Sequence, residues 1–222
     1  MSFSIGAPVP WSLPPDWSTP VRERLAWLTD VQRGGGGAQS KRRLRLSPRR
    51  GFSFSVLCGP DPAERRLADA LRFDHGHREW LLPIWPDVHR VSGLSAGAEE
   101  IVLDTEDLDY TAGGRALVWR SPRAWEIVEI ESVDPDALRL AGALANAWPA
   151  GTRVYPVVRA RVRGTPDEQA LTDRHARLGL DFEVVEPCDW PAAMPPTLYR
   201  GAPILEIARQ EPTDPASGYA RD

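Results

Sequence analysis

Residues 42–57 read Arg-Arg-Leu-Arg-Leu-Ser-Pro-Arg-Arg-Gly-Phe-Ser-Phe-Ser-Val-Leu. Leu44, Leu46, Phe52, Phe54 and Val56 all fall on even positions, and Arg43, Arg45, Ser47, Arg49, Ser53 and Ser55 on odd ones. A strand turns successive side chains to opposite faces, so this period of two predicts a half-buried strand. The period survives Pro48–Gly51, where a bend or bulge is expected. Two more runs behave alike. In 153–163, Val154, Val158, Ala160 and Val162 oppose Arg153, Arg159, Arg161 and Arg163. In 174–185, Ala176, Leu178, Leu180, Phe182 and Val184 oppose Arg177, Asp181 and Glu183. Three such strands frame an antiparallel sheet with one wet face.

One helix is marked between the first two. Asp61 caps it, Pro62 opens it, Glu64 sits in the first turn, and Leu67, Ala68 and Leu71 form its apolar stripe up to Phe73. It is expected to cover a face of the sheet. Residues 78–85 follow as a strand stopped by Pro83 and Pro86. Residues 21–33 fit a helix, through Val21, Leu25 and Leu28, as well as a strand. The four glycines at 34–37 make a loop and lack the Lys-Ser/Thr of a phosphate loop.

Between Pro86 and Val157 the texture changes. Short strands at 100–103, 115–119, 125–130, 137–140 and 152–155 alternate with turn clusters such as Ala112-Gly113-Gly114 and Trp148-Pro149-Ala150-Gly151. This predicts a small inserted barrel. The expected class is therefore mainly β: an antiparallel sheet or sandwich with one covering helix, an inserted β-barrel-like domain and extended Pro-rich terminal arms. The expected boundaries are an N-terminal arm and linker at 1–40, a core at 41–86 plus 157–186, the insert at 87–156, and a C-terminal arm at 187–222.

The composition of the 222 residues is that of a folded chain, 42% apolar and 26% charged. No apolar run approaches the ~20 residues that span a bilayer, so no membrane insertion is expected. Met1 to Pro8 lacks the basic and apolar regions of a secretory signal. There are 22 prolines and nine tryptophans, and Lys41 is the only lysine among 27 basic residues. More than half of the prolines lie in residues 1–20 and 187–222, together with Trp11, Trp17, Trp190 and Tyr199. Arms that apolar lie against something, either their own domain or a neighbouring subunit.

Charge is uneven along the chain although the net is only −4, which is no signature of nucleic-acid binding. Residues 41–50 carry six bases and no acid. Residues 92–114 carry six acids (Glu99, Glu100, Asp104, Glu106, Asp107 and Asp109) and no base. The two stretches can meet within one chain or between copies, where unlike patches meeting head to tail build rings. The alternative is pairing across one sheet face, with Arg43, Arg45, Arg159, Arg161 and Arg163 meeting Asp181 and Glu183.

Catalytic and metal chemistry finds little support. Cys58 and Cys188 lie far apart and read as reduced thiols. His75-Gly-His77 has only Asp74 beside it, there is no Gly-x-Ser-x-Gly elbow, and the Glu129/Glu131 pair reads as a polar strand face. No catalytic residue, metal or cofactor is expected, which leaves a hydrolase acting on a surface polymer as the weakest reading.

Several segments together resemble a family: Trp27-Leu-Thr-Asp-Val; Lys41 through Phe54; Leu82-Pro-Ile-Trp-Pro-Asp; Trp148-Pro-Ala-Gly-Thr-Arg-Val-Tyr-Pro; and Phe182-Glu-Val-Val-Glu-Pro-Cys-Asp-Trp-Pro. Over about residues 11–205 their order and spacing are similar to tail tip, or baseplate, proteins of long-tailed bacteriophages and prophages, and in particular to distal tail proteins. The resemblance implies a non-enzymatic virion component of the tail tip, made in the host cytoplasm. It implies a ring of copies, six by expectation, that joins the tail tube protein to the central hub protein and the host-binding parts. Trp11, Trp17, Arg43, Arg45, Arg49, Trp190 and Tyr199 are the candidate subunit interface. The alternative is a receptor- or glycan-binding module in which Trp119, Trp125 and Trp148 of the insert stack on sugars or pack its core.

Overall fold

The computed structural model describes residues 8–27, 29–33, 39–43, 48–73 and 78–185. Among the described residues the chain is mainly β with a single helix, in the order β1 (Val9–Pro10), β2 (Arg22–Ala26), β3 (Thr29–Arg33), β4 (Gln39–Arg43), β5 (Arg49–Cys58), α1 (Pro62–Phe73), β6 (Glu79–Pro83), β7 (His89–Arg90), β8 (Glu100–Val102), β9 (Arg115–Ser121), β10 (Ala124–Asp134), β11 (Ala137–Leu140), β12 (Arg153–Val162), β13 (Asp167–Ala170) and β14 (Ala176–Val184). Twelve strands join one open sheet whose main path is β2-β5-β14-β12-β9-β10-β11-β8, while β3 and β4 form a hairpin of their own. Every pairing is antiparallel except β1 with β6.

The period-two reading holds where it was strongest. In β5 the even residues Phe52, Phe54, Val56 and Cys58 are buried and Leu57 is exposed. In β14, Leu178, Leu180, Phe182 and Val184 are buried. The two strands pair over eight registered positions, from Ala176 opposite Cys58 to Glu183 opposite Gly51. A Cβ at Gly51 would lie 2.9 Å from the Phe182 carbonyl oxygen, so this close approach requires glycine. The single strand expected over 42–57 is instead two elements, because β4 ends at Arg43 and pairs with β3. The ambiguous 21–33 segment is strand, split into β2 and β3.

The helix forms as its residues dictate. Asp61 Oδ1 accepts the Ala63 amide at 2.8 Å, and the Asp61 carbonyl accepts the Arg65 amide at 3.0 Å. Leu67, Ala68 and Leu71 are buried in the main core.

Strand β12 holds the architecture together. Its first half pairs with β9, from Arg153 opposite Trp119 to Val157 opposite Arg115, and its last residues pair with β14. Along it β6 and β7 pair in turn. The expected boundary at Val157 therefore falls inside one unbroken strand. Two apolar clusters form on the two sides of this shared wall. Leu117 and Trp119 of β9 enter the main cluster with Tyr155, Val157 and Val158, whereas Ala116 and Val118 enter the second with Val128, Ile130, Leu138 and Val154.

Residues 8–20 take the first of the two expected places for the N-terminal arm, against the chain's own domain. β1 pairs with β6, the Trp11 amide bonds the Leu81 carbonyl at 2.9 Å, and Trp11 is 0% exposed, edge-on to Trp80 and Phe182. Beyond it, Asp16 pairs with Arg177 at 3.0 Å, and the Asp16 amide bonds the Ser55 carbonyl at 2.7 Å. The proline-rich segment folds onto its own chain because Val9, Trp11 and Leu13 carry apolar area that extended backbone can lay along a sheet edge. The expected C-terminal arm, with Trp190 and Tyr199, lies outside the described residues, as does Arg45.

Candidate functional site: the lobe junction and the open edge

Two features of the structure stand apart from its apolar lobes. The first is a polar knot around Arg50. Arg50 lies on an even, apolar-facing position of β5 and is only 7% exposed. Its Nε donates to Glu23 Oε1 at 2.6 Å, its other arm is bound to the Asp109 carboxylate, and its guanidinium lies 4.8 Å above the Phe52 ring. Burial works against the guanidinium, but Asp109 and Glu23 more than offset it and hold its pKa above the ordinary value. One contact between the basic stretch and the acidic stretch is thus made inside the chain and ties β5 to the loop before β9.

Asp87 lies in the same knot. Burial, and then the charge of Asp109, push its carboxyl from an ordinary 3.8 to about 6, partly opposed by Arg50 and by the Asp109 amide that donates to it. Tyr110, next along the chain from Asp109, is raised by burial, by Asp87 and by Tyr155. Tyr110 Oη and Trp85 Nε1 are buried with no hydrogen-bond partner among the described residues. Trp85 is edge-on to both Tyr155 and Trp119, so aromatic packing of the main cluster runs up to the knot.

The second feature is an open edge. Among the described residues β2 pairs only with β5, and the β3–β4 hairpin pairs with nothing else. Leu25, Trp27 and Val31 are exposed along this segment, and Trp17 is 60% exposed.

The expected interface residues thus divide. Trp11 is removed from the set, because a fully buried core residue cannot meet a neighbour. Trp17 stands out to solvent. Arg49 is exposed and pairs with Glu183 at 3.0 Å. Arg43 is described by its backbone alone, in β4. The expected pairing of Arg159 and Arg161 with Asp181 and Glu183 is corrected: both reach Glu79 of β6, at 3.5 and 2.8 Å.

Of the three tryptophans expected to stack on sugars or pack the core, two are buried and one is half-buried. Trp119 is 7% exposed, and its Nε1 donates to the Ser12 carbonyl at 3.0 Å, fastening the N-terminal segment to β9. Trp125 is half-buried, and its Nε1 donates to the Pro122 carbonyl at 3.0 Å. Trp148 is 8% exposed. Glu126, which the sequence did not single out, holds Trp148: its carboxylate accepts Trp148 Nε1 at 3.2 Å, the Ala145 amide at 2.6 Å and the Asn146 side chain at 3.1 Å.

The remaining candidates are brief. A cleft of about 550 Å³ at the start of α1 is lined by groups that satisfy one another: Asp61 pairs with Arg123 at 2.8 Å, and Glu64 accepts the Gly59 amide at 2.6 Å. Glu129 and Glu131 are exposed, and Glu129 meets Arg115 at 3.5 Å. Cys58 is a buried thiol at the end of β5; His75, His77 and Cys188 lie outside the described residues. Among the described residues no group of three His, Cys, Asp or Glu could hold a metal ion, and no helix is long and apolar enough to cross a membrane. No protein-family model matches the chain, and no curated protein matches it.

Proposed function

We propose that the chain is a structural subunit of a bacteriophage tail tip or baseplate, one of a ring of copies that joins the tail tube protein to the central hub protein. The observation that carries the reading is that, among the described residues, β2 pairs on one side only, with β5, and the β3–β4 hairpin that follows joins no larger sheet. A lone two-stranded hairpin is marginal in water, and exposed strand edges are normally blunted by charge, bulges or cover. Here Leu25 and Val31 lie exposed along the segment. A second copy of the same chain is the occupant that this edge fits, and a head-to-tail contact between copies makes a ring where its rotation closes. The sequence resemblance to distal tail proteins supplies the assembly and six as the expected number of copies. The place of action is the virion tail tip after assembly in the host cytoplasm, with no catalytic step and no cofactor.

The test is the mass of the assembly. The full chain, measured by light scattering and native mass spectrometry, should form a ring. The double variant Leu25→Lys, Val31→Lys should dissociate it to monomers, because it places two unpaired charges in an apolar contact. A variant as oligomeric as the parent, or a chain absent from purified tails, overturns the reading.

A further inference from the structure

The basic and acidic stretches of the chain meet within it at Arg50 and Asp109. Glu23 of β2 belongs to that contact, since it accepts from Arg50. Successive side chains of a strand alternate, so Arg22 and Arg24 leave the other face of β2. Both are exposed and make no ion pair among the described residues. The chain then presents Leu25, Trp27 and Val31 to solvent, with Arg33 exposed at the end of β3 and Lys41, Arg42 and Arg43 following in β4. From residue 22 to 43 there are six bases and two acids, and one of the acids is Glu23.

The second lobe has the opposite sign. Residues 86–156 carry twelve acids against six bases. There β8 ends the main path of the sheet. Ile101, Leu103 and Thr105 are buried, and the alternate residues Glu100, Val102, Asp104 and Glu106 are exposed. One stripe of surface thus reads acid, valine, acid, acid. Glu100 meets Arg139 at 3.9 Å, while Asp134 holds that arginine at 3.0 Å. Asp104 accepts the Glu106 amide, and neither carboxylate makes an ion pair among the described residues. Val102, 70% exposed, stands inside this acidic stripe.

Each surface therefore has exposed apolar side chains among charges of one sign, and the two signs are opposite. That is the make-up of an interface matched to its partner by charge. Two β2 segments, or two β8 stripes, would bring like charges together, which disfavours either surface pairing with its own kind. We propose that the segment from β2 through the β3–β4 hairpin docks on the acidic β8 stripe of a second copy. The proposal rests on the ring reading above and names the surface of the neighbour that receives the edge. Because the two surfaces differ, a copy that has used its β2 segment still offers its β8 stripe. That is the condition for a head-to-tail ring.

Charge reversal on each surface of the full chain, read by light scattering and native mass spectrometry, tests it. The β2 variant is Arg22→Glu with Arg24→Glu, and the β8 variant is Glu100→Arg with Glu106→Arg. All four positions are exposed, so the fold keeps its core contacts in both. Each variant alone should lose assembly, its dissociation constant rising at least about a hundredfold as like charges are juxtaposed. An equimolar mixture of the two should recover the parent's mass, because every contact between unlike copies again joins a basic surface to an acidic one. Misfolded variants could not rescue each other in this way. Variants that assemble like the parent overturn the proposal and leave the ring reading standing. Variants that stay monomeric when mixed overturn it too, since the two surfaces then do not meet each other. A parent chain that is itself monomeric overturns the ring reading, and this proposal with it.

Discussion

Asp87 offers the sharpest physical test of the lobe junction. Its carboxyl is pushed to about 6 in the folded chain, against 3.8 ordinarily. Between those values the folded state holds a proton that the unfolded state has lost, so stability falls as pH rises through this window. The penalty is absent below pH 4 and complete above pH 6. A displacement of about two units is worth about 3 kcal/mol. The substitution Asp87→Asn removes the charge and keeps an oxygen that can still accept the Asp109 amide. The variant should therefore match the parent near pH 4 and exceed it by about 3 kcal/mol at pH 7.5. Urea unfolding followed by tryptophan fluorescence at pH 4.5, 5.5, 6.5 and 7.5 measures this. With a slope of about 2–3 kcal/mol per M, the midpoints should separate by about 1 M at the highest pH. Midpoints that stay parallel across the series, or a variant less stable than the parent at pH 7.5, would refute the assignment of a buried carboxylate pressed against Asp109.

Two further substitutions probe the wiring of the lobes. Trp11→Ala should lower the stability of the monomer by about 3–5 kcal/mol in chemical denaturation, as for other large aromatic truncations in cores, whereas a segment engaged only with neighbours would leave the monomer unchanged. Glu126→Ala removes the acceptor shared by Ala145, Asn146 and Trp148, and should cost about 1.5–3 kcal/mol and speed amide exchange at Ala145 and Asn146, with Glu126→Gln retaining part of both.

How much of this the sequence carried depends on how many faces each strand buries. β5 and β14 face a core on one side only, and their period of two picked out buried residues, Phe52, Phe54 and Val56 in one and Leu178 to Val184 in the other. β9 reads Arg-Ala-Leu-Val-Trp and shows no alternation, because Ala116 and Val118 belong to one apolar cluster and Leu117 and Trp119 to the other. A strand buried on both faces hides which core each residue serves, so the insert looked more separate than it is. The knot left one legible trace: Arg50 is even in a stretch whose even positions are apolar, and an arginine on that face needs buried partners. Their identity was not legible, since Asp109 is 59 residues away and is brought there only by the turn into β9. Glu126 left no trace at all. Its partners lie 19 to 22 residues on, and an acid after Trp125 looks like any polar strand residue.

The knot and the shared wall are two consequences of one arrangement. Where β12 passes from β9 to β14, two lobes with separate apolar interiors abut, and the polar groups of their connecting loops are squeezed between them. Glu23, Asp87 and Asp109 bring three carboxylates to one guanidinium, that of Arg50. Both arms of Arg50 are committed to Glu23 and Asp109, which leaves Asp87 as the carboxylate without full compensation. A buried uncompensated charge is relieved most readily by taking up a proton. The raised pKa of Asp87 therefore follows first from burial at the junction and then from the excess negative charge there. Removing Arg50 alone would leave two more carboxylates in that position, whereas removing the Asp87 charge alone would leave Arg50 with the two carboxylates it already bonds.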